Sequence, residues 1–284
     1  MAGRGPALPH DRRGGHLRSR SYIFCYAPPL RNRYCMMADN QALAPLVERL
    51  GGRAPLSADD RKALLALPHQ ERLVGPGGYV VEEGEVMIGW HVQLSGVAHR
   101  HRISADGMRH IVGMHGPGDF LNLPVTPPAT SEDFVQALTR VRVAVVQTED
   151  VLALSQGRIG IFRAICGEIA ADISIYRAWI SNVGRREARA RIAYLLCELV
   201  MRSHPGGGAD GCSITLPMSQ VEIADATGIT TVHVNRTLRA MQMQGLIRRH
   251  RRNIHIPDCR ALTRIAEFRP LPWTSRKVDD RAMP

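Results

Sequence analysis

The sequence predicts an α+β chain: an N-terminal antiparallel β-roll of the cupin-like or jelly-roll kind, a long dimerisation helix and a C-terminal winged helix–turn–helix. Three observations predict it. Between Arg72 and Val146 short apolar runs are punctuated by closely spaced glycines. Between Phe162 and Val183 apolar residues recur on a heptad. From Met218 to Met241 two short helical patterns flank a glycine, and a basic hairpin follows them.

The first 36 residues carry seven arginines against one acid, Asp11, and show no apolar periodicity. They are expected to be disordered or not translated, with Met36 or Met37 as the start, because an amphipathic helix opens in "ADNQALAPLVERL" directly after them. "SYIFCYAPPL" is too short and too broken by proline to be a secretory core.

Residues 37–155 form the expected roll. Runs such as "LVGPGGYVVEEGE" and "GWHVQLSGVAHRHRIS" combine strand alternation with glycine turns. A closed roll can hold a small ligand inside. The glycines of "GPGGYVVEEG" open a strand rather than a helix, so they do not cradle phosphate. His91, His99, His101, His110 and His115 cluster here, with His99 and His101 on one strand face. Arg100 and Arg102 between them would repel a cation, so a solvated strand face is expected, with no metal site.

Residues 156–184 form the expected dimerisation helix. Phe162, Cys166, Ile169, Ile173, Tyr176, Ile180 and Val183 are spaced alternately by four and three, the seam of a coiled coil. Ile161, Ile165, Ile175 and Trp179 make a second apolar face that could pack on the roll. Two apolar faces on one helix favour a homodimer. Cys166 on the seam reads as a small hydrophobe.

Residues 185–270 form the expected winged helix, followed by a flexible tail, 271–284. "ARARIAYLLCELV" is an amphipathic helix, "SHPGGGADG" a loop and "CSITLP" a strand. If Gln220 opens the first helix of the motif, Ile223 and Ala224 lie inside it, Gly228 makes the turn and Thr230 caps the second helix. Ile229, Val234 and Leu238 face inward. That leaves Thr231, Val232, His233, Asn235, Arg236 and Arg239 outward, a surface suited to a DNA major groove. Arg236 has the planar fork for O6 and N7 of guanine, whereas Thr230, Thr231 and His233 sit where a helix N-terminus meets phosphate. In "GLIRRHRRNIHIP" a hairpin wing presents Arg248, Arg249, His250, Arg251 and Arg252 to the backbone of a duplex.

Charge distribution agrees with this division. The net +11 splits into +6 over residues 1–36, −3 over 37–184 and +8 over 185–284. No apolar run is long enough for a membrane span, and no membrane partner is expected. Six cysteines, Cys25, Cys35, Cys166, Cys197, Cys212 and Cys259, show neither zinc spacing nor a disulfide framework, which fits a reducing cytoplasm. No nucleophile–base pair, Walker loop or dinucleotide fingerprint is present, so no enzyme is expected.

Over about residues 40–268 the chain resembles the Crp–Fnr family of bacterial transcription regulators. The resemblance rests on the glycine-punctuated roll with "GPGDF" (Gly116–Phe120), the dimer helix and "SQVEIADATGITTVHVNRTLRAMQMQGLI". It implies a homodimer on a two-fold symmetric DNA site, with RNA polymerase as a further partner. Two departures matter. Where cyclic-AMP-binding members carry Gly-Glu and then Arg-Ser/Thr-Ala, this chain has Gly118-Asp119-Phe120-Leu121-Asn122-Leu123 and Ser131-Glu132-Asp133. Cys25 and Cys35 lack the spacing of the iron–sulfur members. Neither cAMP nor an iron–sulfur cluster is therefore expected as cofactor, and haem or any other effector stays unassigned. The family usually has Glu where this chain has Val232, so apolar contact replaces a carboxylate there. The alternative is a small-molecule-binding roll whose basic domain holds nucleic acid without sequence preference.

Overall fold

The structure, a computed structural model, describes residues 41–87, 89–124, 129–203 and 211–269. The basic N-terminal segment, Cys25, Cys35, most of the "SHPGGGADG" loop and the 271–284 tail lie outside the described residues.

Two short helices come first, α1 (Ala44–Gly51) and α2 (Ala58–Leu65). A capping box opens α2: the Ser57 hydroxyl accepts from the Asp60 N–H, and the Asp60 carboxylate accepts from the Ser57 N–H. The roll follows as β1 (His69–Val74), β2 (Tyr79–Val81), β3 (Val86–Met87), β4 (Gly89–Ser95), β5 (Ala98–Ile103), β6 (Arg109–His115), β7 (Phe120–Asn122), β8 (Ala129–Thr130), β9 (Phe134–Ala137) and β10 (Val141–Gln147). They pair antiparallel in two four-stranded sheets, β1-β10-β4-β7 and β2-β9-β5-β6, with β3-β8 as a small ribbon. Strand β10 shows the logic of the sequence. Val141 and Val143 enter the roll interior with Val80, Val81, Leu121 and Val135, while Ala144 and Val146 face the opposite way. That opposite face is buried too, beneath Leu43, Leu46 and Leu50 of the N-terminal segment and Ile161 and Ile165 of the long helix. Because the sheet is covered on both sides, β4 is buried from Gly89 to Leu94, including the His91 and Gln93 that alternate with Trp90, Val92 and Leu94.

Helix α3 (Thr148–Gln156) ends at Gly157, and α4 (Ile159–Arg185) runs unbroken for 27 residues. The two faces of α4 separate as their spacing requires. Ile161, Ile165, Ile175 and Trp179 are buried, whereas Phe162, Cys166, Ile169, Ile173, Ile180 and Val183 are exposed. Tyr176 departs from that seam. It is half-buried against β6, where its ring edge would touch a methyl placed on Gly113.

The C-terminal part comprises α5 (Ala188–Ser203), β11 (Cys212–Thr215), α6 (Gln220–Thr227), α7 (Thr231–Met243), β12 (Arg248–His250), β13 (Asn253–Ile256) and α8 (Cys259–Ile265). Its sheet order is β11-β13-β12. Its core gathers Ile192, Leu196, Ile223, Val234, Leu238, Met241 and Ile254, and continues into Ile175 and Trp179 of α4 and Ile111 and Met114 of β6.

Two expectations are corrected. His91, His99, His101 and His115 are buried, not solvated, and only His110 of the five is exposed. His99 pairs with Gln136 and His101 with Phe134, so both rings share the face of β5 opposite Ala98 and Arg100, 5.0 Å apart between centroids, where Arg109 of β6 and Asp225 of α6 lie nearby. Second, Cys212 and Cys259 form a disulfide across 47 residues of sequence. Linear spacing concealed it, because β11 and α8 become neighbours only when the wing folds back between them.

Candidate nucleic-acid interface

The helix–turn–helix is fixed locally at three points. Ser219 and Glu222 form a capping box at the start of α6: the Ser219 hydroxyl accepts from the Glu222 N–H and the Glu222 carboxylate accepts from the Ser219 N–H at 2.6 Å. The S-x-x-E spacing could have revealed this cap in the sequence. Gly228 ends α6 in the left-handed region, φ 64°, its N–H donating to the Ala224 carbonyl at 2.8 Å. The Thr230 hydroxyl accepts from the His233 N–H at 3.3 Å and opens α7, as the sequence predicts.

Helix α7 then divides into two sides. Val234, Thr237, Leu238 and Met241 are buried, with Val234 and Met241 fully so. Val232, His233, Arg236, Arg239 and Met243 are exposed. Thr231 and Asn235 are half-buried rather than fully outward. The Asn235 amide donates to the Gln220 side chain, which ties the two helices of the motif together and sets the direction of the Asn235 carbonyl.

In the wing, Arg251 turns the chain at φ 54° between β12 and β13. Arg248, His250, Arg251 and Arg252 are exposed, and half-buried Arg249 donates from Nε to the Arg251 carbonyl at 3.3 Å.

Charge pairing separates these arginines from those that tie the fold together. Arg49, Arg53, Arg100, Arg109, Arg142, Arg158 and Arg202 all meet carboxylates at 2.6–3.2 Å. Among the described residues, no ion pair involves Arg236, Arg239, Arg248, Arg249, Arg251 or Arg252. A surface that leaves its guanidiniums without acids is arranged for an external polyanion.

A buried polar chain connects the roll to this unit. Asp119, in the turn before β7, accepts from Arg49 of α1 at 2.9 Å and from Arg202 of α5 at 2.7 Å. Glu168 of α4 binds Arg49 and Arg53 at 2.7 and 2.6 Å, and Glu198 of α5 takes Arg202 at 3.1 Å and the Trp179 indole at 2.9 Å. Burial pushes the Asp119 carboxyl upward, but the Arg49 and Arg202 guanidiniums outweigh it and hold the group at about 2. Asp172, on α4 near these acids, is pushed up to about 7 by burial and by the charges of Glu168 and Asp119. Arg109 of β6 pairs with Asp225 of α6 at 2.8 Å, a second link between roll and reading unit.

Inside the roll, Asp133 accepts from Arg100 at 3.1 Å, and Arg100 also donates to the Leu121 carbonyl and to His115 at 3.4 Å. Arg102 lies 3.3 Å from Asp133. Asp133 thus engages both Arg100 and Arg102. Among the described residues no three His, Cys, Asp or Glu side chains are grouped to hold a metal ion, and no helix is long and apolar enough to cross a membrane.

Comparison with known proteins agrees with this architecture. Residues 190–265 match the Crp-like helix-turn-helix domain, and residues 71–158 match the cyclic nucleotide-binding domain. The nitrogen fixation regulation protein FixK of Bradyrhizobium diazoefficiens is 29% identical over 197 residues, 68% of this chain and 81% of that protein. The transcriptional activator protein anr of Pseudomonas aeruginosa is 24% identical over 225 residues, 79% of this chain and 90% of that protein. The structure of FixK2 from Bradyrhizobium japonicum shares the fold with a TM-score of 0.63 at 21% identity, covering 72% of this chain and all of that one. A roll of the cyclic-nucleotide-binding kind, joined by a long helix to a winged helix–turn–helix, defines a DNA-binding transcription regulator. The chain belongs to the Crp–Fnr family, whose members are regulators rather than enzymes.

Proposed function

We propose that the protein acts in the cytoplasm as a homodimer that reads a two-fold symmetric DNA site, one α7 per half-site, and regulates transcription through RNA polymerase. The observation that carries this reading is the cluster of guanidiniums on α7 and the wing, none of which meets an acid among the described residues. Arg236 reads guanine through its bidentate fork, Val232 meets an apolar edge such as a thymine methyl, and Arg239, Thr230, Thr231, His233 and Asn235 position the helix. The wing arginines bind backbone phosphate and make affinity fall steeply with salt.

Pairing goes through the exposed stripe of α4, Phe162, Cys166, Ile169, Ile173, Ile180 and Val183, with Tyr176 shared between that seam and the roll. Each dimer helix touches the roll through Tyr176 and the recognition turn through Val183, so a change in the roll reaches the DNA-reading unit along α4. Control without cyclic nucleotide fits the internally paired Arg100 and Asp133, and control without an iron–sulfur cluster fits the scatter of Cys166, Cys197, Cys212 and Cys259 over α4, α5, β11 and α8. The effector of the roll, haem or another molecule, is unassigned.

Selection of duplexes from random DNA tests the reading. The native protein is expected to recover a palindrome with a guanine in each half-site and departures from the usual family consensus opposite Val232. Arg236→Ala is expected to relax selection at that guanine, losing about 1–3 kcal/mol of discrimination. Binding that shows no sequence preference at raised salt would overturn it.

A further inference from the structure

The two bonded cysteines lie in a part of the molecule that the DNA-reading surface does not use. Cys212 begins β11, at the far edge of the sheet from β12, and Cys259 opens α8. Between them in sequence lie the whole helix–turn–helix and the wing, so one bond closes the entire reading unit into a ring. Both cysteines line a cavity of about 280 Å³ together with Cys197, Arg260, Thr263 and Phe268. Cys212 is buried and Cys259 half-buried, so Cys259 is the more accessible residue of the pair. Cys197 differs from both. Burial pushes its thiol up to about 12, which keeps it protonated and unreactive beside the pair.

We propose that Cys212 and Cys259 are a reversible dithiol–disulfide site, oxidised by small disulfides that enter the cavity, and that its closure stabilises the DNA-reading unit. The proposal rests on the regulator reading above, because a protein that reads a chromosome works in a reducing compartment, where a disulfide is a redox state rather than a permanent staple. Oxidation proceeds by exchange. The Cys259 thiolate attacks a small disulfide RSSR and expels one RS⁻, leaving a mixed disulfide on Cys259. The Cys212 thiolate then attacks the Cys259 sulfur and expels the second RS⁻. Two protein thiols become one disulfide, RSSR becomes two thiols, and the protons pass to the departing thiolates. Arg260, beside the cavity, favours the attacking thiolate. A small dithiol reverses the sequence.

The full-length protein is equilibrated in glutathione buffers of graded oxidised fraction, trapped by alkylation and mapped by peptide mass spectrometry. Cys212 and Cys259 are expected to lose reactivity together in one two-electron step, with Cys197 recovered as a free thiol. Thermal unfolding without DNA is expected about 5 °C or more higher in the oxidised state, a shift that Cys259→Ser abolishes and Cys212→Ser abolishes independently. The duplex recovered from random DNA is expected to bind at least about threefold tighter to the oxidised form, because the closed ring holds α7 and the wing pre-organised for binding. Independent protection of the two thiols, a crosslink through Cys197, or equal melting in both states overturns the site, and equal affinity overturns its effect on DNA. Failure to bind any duplex in either state would instead sink the regulator reading, while the thiol and melting measurements stay readable.

Discussion

At the scale of single residues, the turns show how backbone geometry and close packing act together. Gly118 lies at φ 86°, and a Cβ there would fall 2.5 Å from the Pro45 carbonyl oxygen, inside the N-terminal helix that packs on it. Gly228 lies at φ 64°, with Val183 Cγ1 at 3.2 Å from the same imagined atom. Both substitutions with alanine carry the left-handed penalty of about 1–2 kcal/mol. At Gly118 the obstacle is backbone and cannot move aside; at Gly228 it is the methyl of an exposed valine. Gly118→Ala is therefore expected to destabilise the protein well beyond Gly228→Ala, as midpoints of urea unfolding would measure. Equal losses would contradict this ordering. The glycines of "GPGDF" and of the recognition turn were visible in the sequence, whereas the partner of Gly118, a helix some 70 residues earlier, was not. Gly116 and Asp119 show the same limit, since the Gly116 N–H donates to the Asp119 carboxylate that also binds Arg49 and Arg202.

Among elements, α4 is the informative one. Its heptad predicted both that it is a helix and which side stays free, because periodicity alone places residues around a helix. Ile173 and Ile180, 51% and 71% exposed in the single chain, lie at the centre and end of the free side. Ile173→Glu is expected to place two like charges at the centre of the seam. It should shift the protein towards monomer in analytical ultracentrifugation and weaken binding to a palindrome much more than to a single half-site. Undiminished dimerisation would remove α4 from the interface. Strand β5 taught the opposite lesson. Its alternation in "AHRHRI" suggested a wet face, but the side that carries both histidines is covered from outside the strand, where Arg109 of β6 pairs with Asp225 of α6, and no residue in that strand announces the cover.

For the molecule as a whole, the buried ionisable groups set a dependence of stability on pH. Burial, with Arg72 nearby, holds His91 at about 4; burial, with His101 and Arg109, holds His99 at about 3; burial and Arg109 hold His101 at about 4. Each is lowered from an unfolded value near 6.5. Below that value the unfolded chain takes up protons that the native state refuses, so each histidine costs about 1.4 kcal/mol per pH unit as pH falls from 6.5 towards 4. Asp172 acts in the other direction. Its folded value of about 7 exceeds the unfolded 3.8, so its burden is relieved as pH falls through that window. Burial lowers His115 as well and raises Glu198, so four histidines outweigh two carboxyls, and urea midpoints are expected to drop between pH 7 and pH 5. A variant with His99→Phe and His101→Phe should show a shallower drop; a slope unchanged from the native protein would remove these two rings as its source. The polar chain from Glu168 to Glu198 spans roll, long helix and reading unit, and removing one member strands the others. Glu168→Ala is expected to cost about 3–5 kcal/mol, measured in the same unfolding assay, by leaving Arg49 and Arg53 without the carboxylate they share.

The sequence by itself determined the order of parts, the two faces of α4, the helix–turn–helix down to its Thr230 cap, and the basic wing. Those are local properties, set by residue spacing of two or 3.6 and by what a turn demands of its backbone. The tertiary structure alone decided which distant residues meet: Asp119 with Arg49 and Arg202, Arg109 with Asp225, Cys212 with Cys259. Such contacts join positions 47 to 116 residues apart, and nothing in a linear pattern encodes which strands and helices the folded chain lays side by side.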